Sequence, residues 1–198
     1  DVPGSRKVAE AEFSQNIMNE ERTWALELTG HDLDGLSPDL ISILKQSGLD
    51  RGSPSPCLTL SRSHLVPFLE NSSRRDLRKR AFLAWSSRGE NENASNNYKI
   101  IQEIISLRKQ RAKLLGFKNF SEFKLENEMA ENTENVKNFL KSVWECAQTK
   151  ASRELQELKC IMEDEKVSGS VNPWDWRYYQ AKVKKKRFSY NPEDIKAF

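Results

Sequence analysis

Two histidines, three cysteines, a string of glutamates and a run of lysines are the groups whose types could do chemistry in this chain. His31 and His64 are the natural metal or acid–base candidates. Neither has a second histidine or a carboxylate at the helical spacing that H-E-x-x-H would provide. Asp32 and Asp34 follow His31, but they sit between Gly30 and Gly35 in a turn, where aspartate is expected for backbone reasons. Cys57, Cys146 and Cys160 are an odd set without C-x-x-C spacing, which points to reduced thiols in a cytoplasmic setting and not to a disulfide framework. On one helix face, Cys146 and Cys160 would lie about 20 Å apart, too far for a shared metal or a disulfide.

Glu122, Glu126, Glu128, Glu131 and Glu134 could be read as paired catalytic carboxylates. Nothing in the sequence buries them or separates their proton affinities, so a solvated helix face is expected. The chain contains no G-x-S-x-G elbow, no G-x-x-x-x-G-K-[ST] loop and no G-x-G-x-x-G. The basic run Lys182, Lys184, Lys185, Lys186 and Arg187 lies beside Trp174, Trp176, Tyr178 and Tyr179, the ingredients of a single-strand nucleic-acid surface. The aromatics precede the cations and do not interleave with them. An amphipathic helix is therefore expected, with rings toward a core and lysines toward water. The spacing assigns no catalytic residue, no metal ligand and no substrate-binding residue to this chain.

Composition narrows the classes further. Lys and Arg number 32 against 29 Asp and Glu, a formal charge of +3, so nucleic acid is not an expected partner. Charged residues make up 31% and hydrophobic ones 37%, with a mean hydropathy of −0.75, against about 25% and 45–50% in ordinary globular domains. Nine Phe and five Trp nevertheless argue for a folded body. No apolar run approaches the ~18–20 residues that cross a bilayer, so no membrane partner is expected, and the N-terminus shows no signal-peptide core.

The elements that must position these groups are mostly helical. Apolar residues at Val136, Phe139, Leu140, Val143, Ala147, Ala151, Leu155, Leu158 and Met162 predict one long helix, with Thr133 as its cap and Gly169 beyond its end. Tyr98, Ile101, Ile104, Ile105, Leu107, Ala112 and Leu115 predict another, closed by Gly116. Asn119 with Glu122 opens a short helix through Met129, and Asn172-Pro173-Trp174-Asp175 opens one carrying Trp176, Tyr179 and Val183.

The first part is more mixed. A helix ends near Glu21, and short strands at 24–28 and 57–61 are candidates to pair. Helices are expected from Ser37 through Lys45, around Leu65–Glu70 and around Arg74–Trp85, with Ser53–Pro56 as a loop. Residues 89–97 form the longest stretch without apolar anchors and mark a boundary between segments 1–90 and 91–198. Asn191-Pro192-Glu193-Asp194, with Ile195 and Phe198, starts a helix that one turn cannot stabilise, so a segment of a longer protein is expected.

At Pro173-Trp174-Asp175-Trp176-Arg177-Tyr178-Tyr179 the sequence resembles the thimet-oligopeptidase type of zinc metallopeptidases, most closely the bacterial peptidyl-dipeptidase (dipeptidyl carboxypeptidase) branch. Further segments match in order. Phe13-Ser14-Gln15-Asn16-Ile17 is similar to the family's F-x-x-N-[IVL], and Gly35-Leu36-Ser37-Pro38-Asp39 to its G-L-P segment. Leu58-Thr59-Leu60 through Leu65-Val66-Pro67-Phe68-Leu69 is similar to its strand and Y-x-P-[FL]-[LM] helix. Arg75-Asp76-Leu77-Arg78, Leu107-Arg108 through Phe117, Phe123-Lys124-Leu125 and Met129-Ala130-Glu131-Asn132-Thr133 follow. The family's D-N-R-x-[IV]-[IV] segment is replaced by Glu92–Ile101, with a small insertion and no arginine, and its proline after the capping threonine by Glu134.

The resemblance implies a mainly α, two-lobed body around a deep channel that admits short unstructured peptides, with at most a short two-stranded ribbon near the N-terminal part. In the family, zinc is held by two histidines of H-E-x-x-H and a downstream glutamate, and the motif's glutamate is the general base. No such motif occurs here, so no catalytic or zinc-binding residue carries over. The chain is expected to supply non-catalytic helical walls of the channel, with segments 1–90 and 91–198 in different lobes. Its expected partners are short peptide substrates and the remainder of the peptidase, in the cytoplasm. The alternative is a non-catalytic helical peptide- or protein-binding module.

Overall fold

The computed structural model describes residues 2–188. The helical start at Asn191–Phe198 lies outside them. Among the described residues are eight α-helices and one two-stranded antiparallel sheet. They run α1 (Val2–Thr23), β1 (Ala25–Glu27), a 3-10 turn (Gly30–Leu33), α2 (Pro38–Leu49), β2 (Cys57–Thr59), α3 (Arg62–Asn71), α4 (Arg75–Ser86), α5 (Tyr98–Leu114), α6 (Phe120–Leu125), α7 (Thr133–Asp164) and α8 (Pro173–Phe188). The fold is mainly α, with the ribbon in the N-terminal part. Two compact units share the chain: residues 1–20 with 88–151, and residues 21–87 with 152–198. The chain thus passes between units three times.

The unit of residues 21–87 and 152–198 is built around leucines. β1 pairs with β2 in the register Ala25 to Thr59, Leu26 to Leu58 and Glu27 to Cys57. Leu26 and Leu58 then join Leu40, Leu44, Leu65, Phe68, Leu69 and Ala81 in one buried cluster. α2 enters through Ser37, whose Oγ accepts from the Leu40 amide at 3.3 Å, with Pro38 in the first turn. α3 begins at Arg62, three residues before its first buried leucine, because the Ser61 carbonyl accepts from both the His64 and Leu65 amides. A second cluster joins Leu158, Met162 and Tyr179, flanked by Ile161, Trp176 and Val183.

α2 runs on to Leu49 past its expected end at Lys45, so Gly48 lies inside its last turn, packed against the following loop. A Cβ there would lie 2.0 Å from the Ser55 carbonyl oxygen, a backbone atom that cannot swing aside. Gly48→Ala is expected to displace the Ser53–Pro56 loop and cost about 1–3 kcal/mol. Faster amide exchange at Leu28, which donates to the Pro56 carbonyl at 2.9 Å, would report it. Unchanged exchange there would contradict this packing.

The unit of residues 1–20 and 88–151 has a smaller core of Ala9, Ile100 and Ile104, with Phe13 against it. Gly116 takes φ +85° and the Phe117 amide returns to the Ala112 carbonyl, so α5 ends at the glycine as its sequence predicts. Asn119 caps α6 through the Glu122 amide at 2.9 Å. Arg108 and Arg111 of α5 lie over the Phe120 and Phe123 rings at 5.3 and 5.0 Å, which ties α6 to α5.

Other helix boundaries are also set differently from the sequence expectation. α6 stops at Leu125 rather than Met129, and the chain turns through Glu131 at φ 61°. Thr133 is the first residue of α7, and Asn132 caps it instead, its Oδ1 accepting from the Asn135 amide at 2.9 Å. α7 stops through Lys166 at φ 57°, with the Val167 amide returning to the Met162 carbonyl, and Gly169 lies beyond that end, where its spacing puts it.

Candidate functional site

The most concentrated charge chemistry lies at Asp175, in the first turn of α8. Its backbone amide donates to the Asn172 carbonyl at 2.9 Å, and its Oδ2 accepts from the Asn172 amide at 3.1 Å, the reciprocal half of a capping box. Asp175 is also fully buried. Arg75 Nη2 donates to Oδ2 at 2.7 Å, Arg75 Nε reaches both oxygens at 3.1 Å, and Arg78 Nη2 donates to Oδ1 at 3.0 Å. Arg78, itself 1% exposed, donates its other terminal nitrogen to the Ser72 carbonyl at 2.7 Å and stacks over Tyr178 at 3.9 Å. Burial alone would push the Asp175 carboxyl up, but the Arg75, Asn172 and Arg78 hydrogen bonds outweigh it and hold it below the ordinary range. A carboxylate so saturated and so acidic does not shuttle protons. It is a tie between α8 and the start of α4.

A second buried carboxylate closes the other unit. Glu20, 7% exposed, accepts from the Gly89 amide at 2.6 Å, Asn91 Nδ2 at 2.9 Å and Asn93 Nδ2 at 2.7 Å. Asn16 Nδ2 donates to Asn97 Oδ1 at 2.9 Å, and Asn97 Nδ2 to the Phe13 carbonyl at 3.2 Å. Residues 89–97, read as an anchorless stretch, are thus held by polar side chains of α1. Burial pushes Glu20 up, and the Asn93, Asn91 and Gly89 donors with the Arg88 charge bring it below its ordinary 4.5.

Both carboxyls are more acidic folded than unfolded. Their stabilisation is complete above the ordinary values of 4.5 and 3.8 and is lost as pH falls through these toward the folded values. Glu20→Gln is expected to cost about 1–3 kcal/mol at neutral pH and to flatten the acid limb of an unfolding titration. An acid limb identical to wild type would contradict the Glu20 assignment.

The other sequence candidates are scattered. His31 is exposed and pairs with Asp34 at 3.2 Å. His64 Nδ1 lies 2.9 Å from Thr59 Oγ1, and burial followed by the Arg51 charge pushes its pKa below 6.5. Cys57 is buried, while Cys146 and Cys160 are exposed on α7. Glu122 supports the start of α6, accepting from the Lys118 amide at 3.3 Å, and Glu126, Glu128, Glu131 and Glu134 are exposed. Tyr179 is buried with Trp176 and Tyr178 packed near it, while Lys184, Lys185 and Lys186 face water. Lys182 pairs with Glu165 and lies over the Tyr178 ring at 4.2 Å. A groove lined by Leu158, Trp176, Gln180 and Val183 holds about 160 Å³, a more open one beside it, lined by Cys160, Ile161 and Lys186, about 390 Å³, and the Arg187–Glu157 pair at 2.9 Å borders both.

Among the described residues, no group of three or more His, Cys, Asp or Glu side chains is placed to hold a metal ion, and no helix is long and apolar enough to cross a membrane. Sequence reading found the capping role of Asp175 but missed its arginines, which lie nearly a hundred residues away. It also missed Glu20, whose helix position carries no polar signal of burial.

Comparison with known proteins adds a second line. Residues 68–198 match the family described as Peptidase family M3. Oligopeptidase A of Haemophilus influenzae is 31% identical over 95% of this chain and 28% of its own length. Dipeptidyl carboxypeptidase of Escherichia coli is 26% identical over 95% of this chain and 28% of its own length. Saccharolysin of Saccharomyces cerevisiae is 25% identical over 94% of this chain and 26% of its own length. The chain therefore spans just over a quarter of the relatives it matches.

Proposed function

The chain belongs to peptidase family M3, and we propose that in the full-length protein it forms non-catalytic helical walls of a zinc-dependent oligopeptidase of the peptidyl-dipeptidase type, acting on short peptides. The match of residues 68–198 carries this reading. The relatives named for oligopeptidase and dipeptidyl carboxypeptidase activity support it, each aligning over 95% of the chain. The described residues do not fit zinc, since they present no ligand set. No catalytic step is assigned to this chain, and zinc and the general base belong to other parts of the protein.

What these residues do is hold shape. Asp175 locks α8 to α4, and Glu20 locks residues 89–93 to α1. On this reading segments 1–90 and 91–198 belong to different lobes of the full-length protein, with the change near residues 89–97, and the protein works in the cytoplasm.

The test is hydrolysis of short unstructured peptides by the full-length protein, with products identified by mass spectrometry. Cleavage abolished by a chelator and restored by zinc is expected, and release of C-terminal dipeptides marks the peptidyl-dipeptidase branch. Peptide binding without turnover by the zinc-loaded protein would overturn this reading in favour of a non-catalytic helical binding module.

A further inference from the structure

The first half of α7 carries an uncovered apolar stripe. Phe139, Leu140, Val143 and Trp144 are 67%, 57%, 49% and 62% exposed. Their spacing gathers them on one side of the helix, where Ala147 and Ala151 continue the line. Asn138, Lys141, Glu145 and Thr149 occupy the opposite side. At about 100° per residue the apolar side runs on into Leu155, Leu158 and Met162. Leu158 and Met162 are buried, packed with Tyr179 of α8. One helix face is thus core along its second half and bare along its first.

We propose that the stripe Phe139–Leu140–Val143–Trp144 is an internal packing surface, covered in the full-length protein by an apolar helix face from a part of the same polypeptide outside these 198 residues. This rests on the reading of the chain as one part of a longer peptidase. Three observations select that occupant over a second copy of the chain. The face continues one that is already core. The chain accounts for only 28% of the length of its relatives, so ample polypeptide remains to cover it. The area is also wrong for a dimer. With about 150–250 Å² on each aromatic side chain, the four residues leave on the order of 400 Å² bare. Separate chains that associate stably bury about 800 Å² per partner. A segment of the same chain is held nearby by its tether and meets no such threshold.

Hydroxyl-radical labelling of the full-length protein, read at Trp144 by mass spectrometry, tests the assignment. Labelling at least tenfold slower than in the urea-unfolded protein, and unchanged by hundredfold dilution, is expected. Val143→Asp is expected to lower Tm well beyond Asn138→Asp on the opposite side. Labelling of Trp144 at the unfolded rate overturns the proposal, and so does protection that disappears on dilution, which would mark a second copy. Peptide hydrolysis by the same preparation is scored separately. An active peptidase with Trp144 accessible overturns this surface alone, and an inactive protein with Trp144 protected overturns the peptidase reading alone.

Discussion

Asp175→Ala is expected to cost about 3–5 kcal/mol in the stability of α8. The carboxylate is fully buried and accepts from two guanidinium groups and one backbone amide. Removing it leaves Arg78, 1% exposed, as an uncompensated buried charge and frees the Asn172 amide at the helix start. The asymmetry between a made and a broken buried pair sets the size of the effect: the intact pair contributes little net stability, while half of it is strongly unfavourable. Asp175→Ala combined with Arg78→Met is therefore expected to recover part of the loss. Hydrogen exchange of α8 amides in the full-length protein is the measurement, with protection falling by roughly two to three orders of magnitude in the single variant. A change of less than tenfold would mean that α8 is held by its apolar contacts alone.

Phe68→Ala is expected to be comparably damaging, at about 3–5 kcal/mol. Phe68 has no exposed surface and lies among Leu26, Leu58, Leu65 and Leu69, so its ring joins the ribbon to α3. The cavity left behind cannot collapse easily, because the β1–β2 register fixes Leu26 and Leu58 on one side and α3 carries its own leucines on the other. Phe68→Leu keeps more of the volume and is expected to lose much less. Exchange at the Leu58 amide reads both variants, and an equal response to the two would contradict a packing origin.

The helices and their strongest punctuation were legible because they are local. Gly116, Ser37-Pro38 and Asn119 act through neighbours one turn away, and each appears where its spacing puts it. Thr133 was misplaced by one residue because Asn132, an equally good cap, precedes it. The stop at Lys166 was hidden because a lysine at positive φ carries no sequence signal. The buried polar ties were illegible for a different reason. Asp175 meets Arg75 and Arg78, and Glu20 meets Asn91 and Asn93, across 71 to 100 residues of chain. Periodicity cannot register a contact at that separation. The family was legible only through resemblance, since the chain carries no constellation that spacing alone could identify.

The central claim is that these residues build a peptidase without supplying its metal or its catalytic groups. The most direct test replaces every histidine and cysteine of the chain in the full-length protein: His31→Gln, His64→Gln, Cys57→Ala, Cys146→Ser and Cys160→Ser. Zinc content and kcat for a short peptide are then compared with wild type. Both are expected to stay within about twofold, far from the loss that follows removal of a metal ligand or catalytic group. Loss of zinc, or a fall in kcat beyond tenfold in a protein whose α8 exchange protection is intact, would contradict the account.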